Sequence, residues 1–255
     1  MQNSHLKVSV ITPNYNRGDF LEKTILSVLE QKYPNLEYIL IDGGSTDESV
    51  SIIKKYQNQI HHWVSEKDDG MYHAINKGFS MATGDIMCWI NSDDILWENA
   101  LHYVANLFKA NKNLHWLQGY PTVIDKDGVI IYQRDPVATV NHFIDKSYIK
   151  THHFIQQEST FWSRELWDRT EGIDTSFNLA ADFDLWMQFF RKTNLYCSHR
   201  VLGAFRKREG QQSENMDTYI KETKKSLHKY FKSFSMIEKI KQKLVKHRTS
   251  INWID

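Results

Sequence analysis

Up to residue 91 the chain alternates between short apolar runs and amphipathic segments, and this alternation limits the fold more than any other feature. Four apolar runs predict buried strands: VSVIT at 8–12, LEYILID at 36–42, HHWVSE at 61–66 and DIMCWIN at 85–91. Segments with helical spacing separate these runs, and the connections are short. This order predicts an α/β fold, in which a mostly parallel central sheet is flanked by helices on both faces.

The three intervening helices have recognisable ends. Asp19 and Glu22 have the spacing of a capping box, which predicts that the first helix begins there. Ser45 and Glu48 have the same spacing and predict the start of the second helix. The third helix is expected over 70–84, because a glycine ends that pattern.

Polar residues follow each of the four predicted strands. They are Thr12, Asn14, Tyr15, Asp42, Glu66, Asp68, Asp93 and Asp94. Because ligands bind beyond the carboxyl ends of the strands in sheets of this kind, we expect these residues to lie along one rim. The sequence therefore predicts a polar binding site built from segments that are distant in the chain.

Two adjacent carboxylates, Asp93 and Asp94, stand at the end of the fourth apolar run. Such a pair suits Mg²⁺ or Mn²⁺, whose coordination is typically completed by substrate phosphates. The alternative is a solvated turn in which Asp caps a helix. Asp42, in LIDGGSTD, is expected at the same rim, where it would accept hydrogen bonds from a ribose or a base N–H. Its alternative role as a helix N-cap is already assigned to Ser45.

The pattern changes after residue 96. Helices are predicted over 97–111, near 163–170 and in ADFDLWMQFFRKT, which begins at residue 181. The run LHWLQGYPTVIDKDGVIIYQ predicts two strands joined at DKDG, which would extend the sheet as mixed edge strands. We expect one domain over residues 1–215 and a basic helical extension over 216–255.

The C-terminal extension differs from the rest of the chain in charge. Residues 221–255 carry ten Lys or Arg and three Asp or Glu, a net +7, against −6 for residues 1–220. Apolar and aromatic residues recur in it at helical spacing: Leu227, Tyr230, Phe231 and Phe234. Such a helix suits contact with an anionic membrane surface. The alternative is a helix that packs on the domain and leaves its basic face in solvent.

Three segments resemble the family 2 glycosyltransferases, which have the GT-A fold. They are VSVITPNYNRGDFLEKTILSVLEQKYPNLEYILIDGGSTDES, SEKDDGMYHAINKGFSMATGDIMCWINSDD and STFWSRELWDRTEGIDTSFNLAADFDLW, and the resemblance covers about residues 6–210. It implies inverting transfer of a sugar from a nucleotide-diphosphate donor, expected to be a UDP-sugar, to an acceptor hydroxyl. The implied acceptor is a saccharide or a lipid-linked saccharide in surface polysaccharide or glycolipid synthesis.

The resemblance also implies roles for individual residues. The residues matched to nucleotide contacts are Thr12, Asn14, Tyr15, Asp42, Asp68, Gly70 and Asp93. Asp94 is matched to the ligand of Mg²⁺ or Mn²⁺, and Asp182 to the catalytic base that deprotonates the acceptor hydroxyl. Gln157 and Glu158 lie where relatives shape the acceptor pocket.

Three positions depart from the pattern of the resembled family. Ala181 and His73 stand where relatives often have acidic residues. Arg208, with Arg206 nearby, stands where many relatives have a His that helps to hold the metal or the diphosphate. Arginine cannot ligate a cation, but its guanidinium binds diphosphate oxygens, so the strictness of metal dependence stays open.

Alternatives to this interpretation exist at two levels. Asp182 would be an ordinary charge at a helix N-terminus if it were not the base, and Asp184 is the second candidate for the base. For the whole chain, the alternative is a non-catalytic sugar-nucleotide-binding protein. A sugar nucleotidyltransferase is disfavoured, because TPNYNRGD contains one glycine where that enzyme needs a Gly-rich phosphate loop.

Composition bears on the location of the protein. Cys88 and Cys197 lie far apart in apolar contexts, which favours reduced thiols over a disulfide framework. The N-terminal sequence is too polar for a secretory signal, and no apolar run approaches the roughly 20 residues of a membrane span. We therefore expect a cytoplasmic protein, with peripheral contact at the inner face of the membrane as an open alternative. No recognised nucleic-acid-binding motif accompanies the basic charge, so nucleic acid is not an expected partner.

Overall fold

The computed structural model describes residues 5–211, 214–232 and 251–255. The strands are β1 (Val8–Asn14), β2 (Leu36–Asp42), β3 (His62–Ser65), β4 (Ile86–Trp89), β5 (Ile95–Leu96), β6 (Trp116–Gln118), β7 (Thr122–Ile124), β8 (Ile130–Gln133), β9 (Thr160–Ser163), β10 (Tyr196–Cys197), β11 (Gly203–Arg206) and β12 (Asn252–Trp253). The helices are α1 (Gly18–Leu29), α2 (Ser49–Tyr56), α3 (Met71–Met81), α4 (Ala100–Ala110), α5 (Asn141–Ile144), α6 (Ser147–Thr151), α7 (Arg164–Trp167), α8 (Ala181–Phe190) and α9 (Met216–Lys232). A 3₁₀ turn spans Gln157–Ser159.

The main sheet has eight strands within the described ranges, in the order β12-β10-β6-β9-β4-β1-β2-β3. β1 pairs in parallel with β2 and β4, and β2 pairs in parallel with β3. β9 is antiparallel to both of its neighbours, β4 and β6. The predicted α/β class, with four parallel strands and a mixed region beside them, is therefore confirmed.

The helices cover both faces of this sheet. Neighbouring residues of a strand face opposite sides, so Val10 and Leu40 belong to one core while Ile11 and Ile41 belong to the other. α1, α2 and α4 pack on the first side, and α3, α8 and α9 pack on the second. Burial on both faces explains why the strands read as continuous apolar runs.

A second, smaller sheet has the order β5-β11-β7-β8 among the described strands. The predicted hairpin at DKDG is confirmed, because β7 and β8 pair antiparallel and Asp125 accepts hydrogen bonds from the N–H groups of Asp127 and Val129 at 2.9 Å. The prediction that this run extends the main sheet as mixed strands is confirmed for β6, which pairs with β9 and β10, and is wrong for the hairpin. β11 pairs with β7 and β5, which places the hairpin in the second sheet.

Neither predicted capping box forms. α1 begins at Gly18, whose N–H donates to the Asp47 carboxylate at 2.9 Å, and α2 begins at Ser49. Ser45 donates its hydroxyl hydrogen bond to Asp42 instead of capping a helix. The two loops face each other, so contacts between them replace the local capping that the sequence predicted. The third helix ends at Met81, before the predicted end at residue 84.

The described part of the C-terminal extension packs on the rest of the chain. Leu227 and Tyr230 of α9 are buried in the core beside α8, and Ser226 donates to Asp184 at 2.8 Å. The helical prediction holds for 216–232 and is wrong for Asn252–Trp253, which pair in parallel with the open edge of β10. Phe234 lies outside the described residues. A domain boundary at residue 215 stays a prediction.

The structure also bears on the membrane question. Within residues 5–211, 214–232 and 251–255, each helix is too short or too polar to cross a bilayer. Peripheral contact of the extension with a membrane surface stays a prediction.

A substitution in α9 tests whether this helix is part of the folded core. Leu227→Ala should lower the free energy of unfolding by about 2–4 kcal/mol, because it leaves a cavity beside α8. Urea denaturation measures the loss. The control is Lys224→Ala on the exposed side of α9, which should change stability by less than about 0.5 kcal/mol. Equal stability of the two variants would mean that α9 is not docked in solution.

Candidate active site

A cavity of about 670 Å³ opens at the carboxyl ends of the parallel strands. Most of the residues predicted for the site line it: Asn14, Tyr15, Asp68, Gly70, Asp93, Asp94, Gln157, Glu158, Asp182 and Arg208. They come from the end of β1 and the loop after it, the loops after β3 and β4, the 3₁₀ turn, the segment after β11 and the start of α8. The tertiary structure thus brings residues that lie up to about 190 positions apart to one opening.

The register of three strands builds the first wall of the cavity. Asn14 pairs with Asp42 across β1 and β2, and Asp42 pairs with Ser65 across β2 and β3. Asn14 Nδ2 donates to Asp42 Oδ1 at 2.6 Å, and Ser65 Oγ donates to Asp42 Oδ2 at 2.6 Å. Ser45 donates to Asp42 through its N–H and its hydroxyl. The Asp42 carboxylate at the end of β2 therefore connects the ends of β1 and β3 through hydrogen bonds.

Three of the predicted residues do not line the cavity. Thr12 is fully buried and hydrogen-bonded to the Tyr38 hydroxyl at 3.1 Å. Asp42 is fully buried beneath Gly43 and Gly44, which line the cavity in its place. These positions do not support the direct nucleotide contacts predicted for Thr12 and Asp42.

Arg206 is the third residue that the cavity does not reach. Its guanidinium donates to the backbone carbonyls of Asp93, Asp125 and Lys126, and 1% of the residue is exposed. Because these carbonyls occupy three of the five guanidinium donors and the residue is buried, the position does not support the predicted contact with a diphosphate. Arg206 instead joins the loop after β4 to the hairpin of the second sheet.

The loop before α3 forms the next wall. Asp68 Oδ1 accepts from the Gly70 N–H at 2.9 Å, and Gly70 has a φ of 114°, which favours glycine. A Cβ at Gly43 would lie 2.9 Å from Asp68 Oδ2. Glycine at position 43 therefore permits the close approach of the loops after β2 and β3.

Asp93 and Arg208 form an ion pair inside the cavity. Arg208 Nη2 and Nε lie 2.7 Å and 2.8 Å from Asp93 Oδ2, and both side chains are about 15% exposed. This pair places a guanidinium beside the acidic motif, where the sequence predicted a substitute for histidine. The Arg208 donors that face the cavity can bind diphosphate oxygens.

Asp94 and Glu158 are buried carboxyl groups on the same side of the cavity. Burial, followed by the charges of Glu158 and Asp93, raises the pKa of Asp94 well above its ordinary value. Burial raises the pKa of Glu158 to about 7, and the charges of Asp182 and Asp93 add to this effect. The positive charges of Arg206 and Arg134 interact with Asp94 and Glu158 respectively, but they do not outweigh the effect of burial.

This acidic side of the cavity fits a divalent cation. Asp94 Oδ1 accepts from the Arg206 N–H at 2.7 Å, and Asp94 Oδ2 accepts from Asn91 Nδ2 at 3.1 Å, which leaves a lone pair on each oxygen. Asn91 Oδ1 is buried without a hydrogen-bond partner in the described part of the chain. These are the hard oxygen donors that Mg²⁺ and Mn²⁺ prefer. Among the described residues, however, no cluster of three or more His, Cys, Asp and Glu could hold a metal ion by itself.

Asp182 stands at the start of α8, with its side chain turned into the cavity. The Tyr219 hydroxyl donates to its two carboxylate oxygens at 3.4 Å and 3.3 Å. Burial raises the pKa of Asp182 to about 7, although hydrogen bonds from the Phe183 N–H and Tyr219 oppose the rise. The second candidate base, Asp184, accepts from Ser226 of α9 and does not line this cavity.

The cavity also contains residues that the sequence did not predict. They include Arg17, Lys67, Tyr72, Trp89, Asn91, Phe205 and Tyr219. Arg17 follows the first strand, so its place at the rim follows from the same fold rule. Tyr219 had no signal in the sequence, because its position depends on how α9 packs against α8.

An α/β sheet with a cavity at its strand ends is the arrangement of a ligand-binding α/β protein, and sequence comparison gives the family. The model of the family described as Glycosyl transferase family 2 matches residues 9–170. The chain therefore belongs to glycosyl transferase family 2 and is a glycosyltransferase.

Individual relatives agree with this assignment. The chain is 26% identical over 218 residues to an uncharacterized glycosyltransferase of Rickettsia typhi, covering 84% of this chain and 68% of that relative. It is 26% identical over 210 residues to chondroitin synthase of Escherichia coli, covering 76% of this chain and 29% of that protein. A second rickettsial relative, from Rickettsia prowazekii, is 28% identical and is covered over 62% of its length. The chain is thus shorter than these relatives.

Solved structures show the fold. A mannosyltransferase from Pyrobaculum calidifontis, PcManGT, in complex with GDP-Man and Mn²⁺, superimposes with a TM-score of 0.66 over 91% of this chain and 66% of that chain, at 18% identity. Residues 1–349 of S. aureus TarS, in complex with UDP-GlcNAc, superimpose with a TM-score of 0.65 over 82% of this chain and 61% of that chain, also at 18% identity. The predicted GT-A fold is confirmed.

A substitution at Asp42 separates support of the loops from direct ligand contact. Asp42→Ala should lower the free energy of unfolding by on the order of 3 kcal/mol, because buried donors of Asn14, Ser45 and Ser65 lose their acceptor. Chemical denaturation measures this loss. Ser65→Ala, which removes one of the donors, should cost less. A variant of unchanged stability that no longer binds nucleotide would favour the direct contact predicted from the sequence.

Proposed function

We propose that this glycosyltransferase transfers a sugar from a nucleotide-diphosphate donor to an acceptor hydroxyl with inversion, and that Asp182 is the base. The observation that carries the proposal is the cavity itself. The strand ends, the ion pair of Asp93 and Arg208 and the buried Asp182 all line this one cavity. A donor held by the strand ends and Arg208 would present its sugar within the same cavity as Asp182.

The nucleoside is assigned to the wall formed by Asn14, Tyr15 and the loops 43–44 and 67–70. Tyr15 is 61% exposed at the rim, where its ring is available to stack on a base. Asp68 and Asp93 offer carboxylate oxygens for ribose hydroxyls, and Arg208 offers a guanidinium for the diphosphate. The sugar would then lie between Asp93 and Asp182.

The reaction follows from the position of Asp182. The acceptor oxygen attacks the anomeric carbon from the side opposite the diphosphate, and its proton passes to the Asp182 carboxylate. The bond between the anomeric carbon and the phosphate oxygen breaks, and the electron pair leaves with the nucleoside diphosphate. A pKa of about 7 suits a general base near neutral pH. Gln157 and Glu158 are assigned to hydroxyl groups of the acceptor.

A divalent cation is assigned to Asp94 and the amide oxygen of Asn91. When bound, Mg²⁺ or Mn²⁺ would supply positive charge that stabilises the diphosphate leaving group. Arg208 would supply a second positive charge at the same group, which reduces the dependence of the reaction on the cation. Support comes from the raised pKa of Asp94 and from the Mn²⁺ complex of PcManGT.

The substrates are proposed from the named relatives. A UDP-sugar is the proposed donor, because TarS is solved with UDP-GlcNAc, and a GDP-sugar is the alternative, because PcManGT is solved with GDP-Man. The similarity to chondroitin synthase supports a role in polysaccharide or glycolipid synthesis. If the acceptor is a lipid-linked saccharide, it lies in a membrane. The basic C-terminal extension would then bring the enzyme to its acceptor by contacting the cytoplasmic face of that membrane.

The catalytic assignment is tested after a thermal-shift screen of UDP- and GDP-sugars with Mn²⁺ has selected the donor. Asp182→Asn should reduce the release of nucleoside diphosphate by a factor of about 10²–10⁴ and leave donor binding unchanged. Asp184→Asn is the matched control, because Asp184 faces Ser226, and its turnover should persist. Donor binding without turnover in the wild type, across a broad acceptor panel, would favour the non-catalytic alternative.

The pH dependence gives a separate prediction for the wild type. Because the base must be ionised, turnover should rise as the pH increases through about 7 and then become flat. Below that midpoint the protonated carboxyl cannot accept the proton, so turnover is lost. The rate is measured at saturating donor across neutral pH. An acidic limb near the ordinary pKa of Asp would contradict the assignment.

The cation site is tested by binding. Asp94→Ala should abolish the increase in donor affinity that Mn²⁺ produces in the wild type, because the cation loses its carboxylate ligand. Isothermal titration calorimetry with and without Mn²⁺ measures the difference. Asp127→Ala is the control, since that carboxylate lies in the exposed hairpin. Unchanged donor affinity of Asp94→Ala in Mn²⁺ would count against this ligand.

A further inference from the structure

One face of α9 is directed at the start of α8. Tyr219, Glu222, Ser226 and Lys229 recur every three or four residues, and each of them reaches α8 or the segment that leads into it. Both helices lie beyond residue 170, where the match to the family model ends. The family model therefore does not include the contacts between these helices.

Tyr219 contacts the Asp182 carboxylate directly. Its hydroxyl lies 3.4 Å and 3.3 Å from the two oxygens, and its ring packs edge-on against Phe154 with centroids 4.8 Å apart. Burial, followed by the charge of Asp182, holds the pKa of Tyr219 well above its usual value. The phenol therefore stays a hydrogen-bond donor at neutral pH.

Glu222 holds the backbone turn that precedes Asp182. Its carboxylate accepts hydrogen bonds from the N–H groups of Asn178, Leu179 and Ala180 at 3.0, 2.9 and 2.9 Å. These donors lie at the N-terminus of α8, where the helix has no backbone acceptors of its own. From the other side, the Tyr72 hydroxyl of α3 donates to the Leu179 carbonyl at 2.6 Å. The turn is thus fixed by side chains from two helices.

We infer that α9 completes the catalytic site. Tyr219 is a positioning residue that orients the Asp182 carboxylate, and Glu222 is a positioning residue that fixes the turn from which Asp182 projects. The inference rests on the proposed role of Asp182 as the base. It adds that a helix outside the matched family segment sets the orientation of that base.

The two positioning residues have opposite electrostatic effects on Asp182. The Tyr219 hydroxyl stabilises the ionised carboxylate, whereas the negative charge of Glu222 destabilises it. Among the described residues, Tyr72 of α3 and Glu158 of the 3₁₀ turn also interact with the charge of Asp182. Removal of the Tyr219 hydroxyl should therefore raise the pKa of Asp182, and removal of the Glu222 charge should lower it.

The test is a carboxyl NMR titration of the full chain labelled with ¹³C-Asp, which needs no substrate. The resonance missing in Asp182→Asn identifies the residue. Tyr219→Phe should move the titration midpoint to higher pH, and Glu222→Gln should move it to lower pH. Lys221→Gln is the control, because it changes one charge on the exposed side of α9 next to Glu222. This variant should leave the titration midpoint of Asp182 unchanged. Midpoints that stay fixed or move in the same direction in both variants would overturn the inference.

A conservative variant of Glu222 distinguishes an effect of its charge on the Asp182 titration from a general disturbance of the structure. Glu222→Asp retains the charge, so its midpoint should stay closer to the wild type than that of Glu222→Gln.

Tyr219→Phe retains the ring that packs on Phe154, so the fold should persist and turnover should fall about tenfold with an unchanged KM for the donor. Loss of turnover without any change in the Asp182 titration would contradict positioning.

The two proposals fail in different ways. If Asp182→Asn retains turnover while the two midpoints move as expected, the assignment of the base is wrong and the contacts with α9 are correct. If Asp182→Asn abolishes turnover while the midpoints do not move, the base is supported and the role of α9 is wrong.

Discussion

The buried carboxylate of Asp42 is the contact on which the site depends. It accepts hydrogen bonds from Asn14, Ser45 and Ser65, so the ends of β1, β2 and β3 and the loop after β2 are joined through one side chain. A buried charge is stable only when donors surround it, and here those donors come from segments that must also form the cavity wall. The same hydrogen bonds therefore fix both the register of the sheet and the shape of the cavity wall.

The carboxyl groups that line the cavity differ in their electrostatic surroundings. Asp93 is paired with Arg208, whereas Asp94, Glu158 and Asp182 are buried carboxyl groups whose pKa values are raised by burial. The pair of Asp93 and Arg208 suits a diphosphate, and Asp94 suits the cation that would accompany it. Asp182, which accepts hydrogen bonds from Tyr219, suits proton transfer, because a carboxyl group in a dry environment is a stronger base than one in water. Carboxyl groups of the same kind thus differ in pKa, and so in the chemistry that they can perform, because their burial and their partners differ.

Prediction from the sequence succeeded where the signal was local and periodic. The four parallel strands and the α8 segment followed from apolar runs, and the rule that ligands bind at strand ends gathered Asn14, Asp68 and Asp94 at one opening. It failed where a distant segment competed with a local interaction. Ser45 bonds to Asp42 rather than capping a helix, and the guanidinium of Arg206 is occupied by backbone carbonyls of two other loops.

The sequence by itself determined the α/β class, the order of the first elements and the positions of the acidic motifs, because periodicity and strand ends are properties of short segments. The tertiary structure decided which of those residues face the cavity, since exposure depends on neighbours that are far away in the chain. It also decided the place of α9. Tyr219 reaches Asp182 because two helices, 26 residues apart in the chain between Phe190 and Met216, pack against each other, and such packing leaves no local signature.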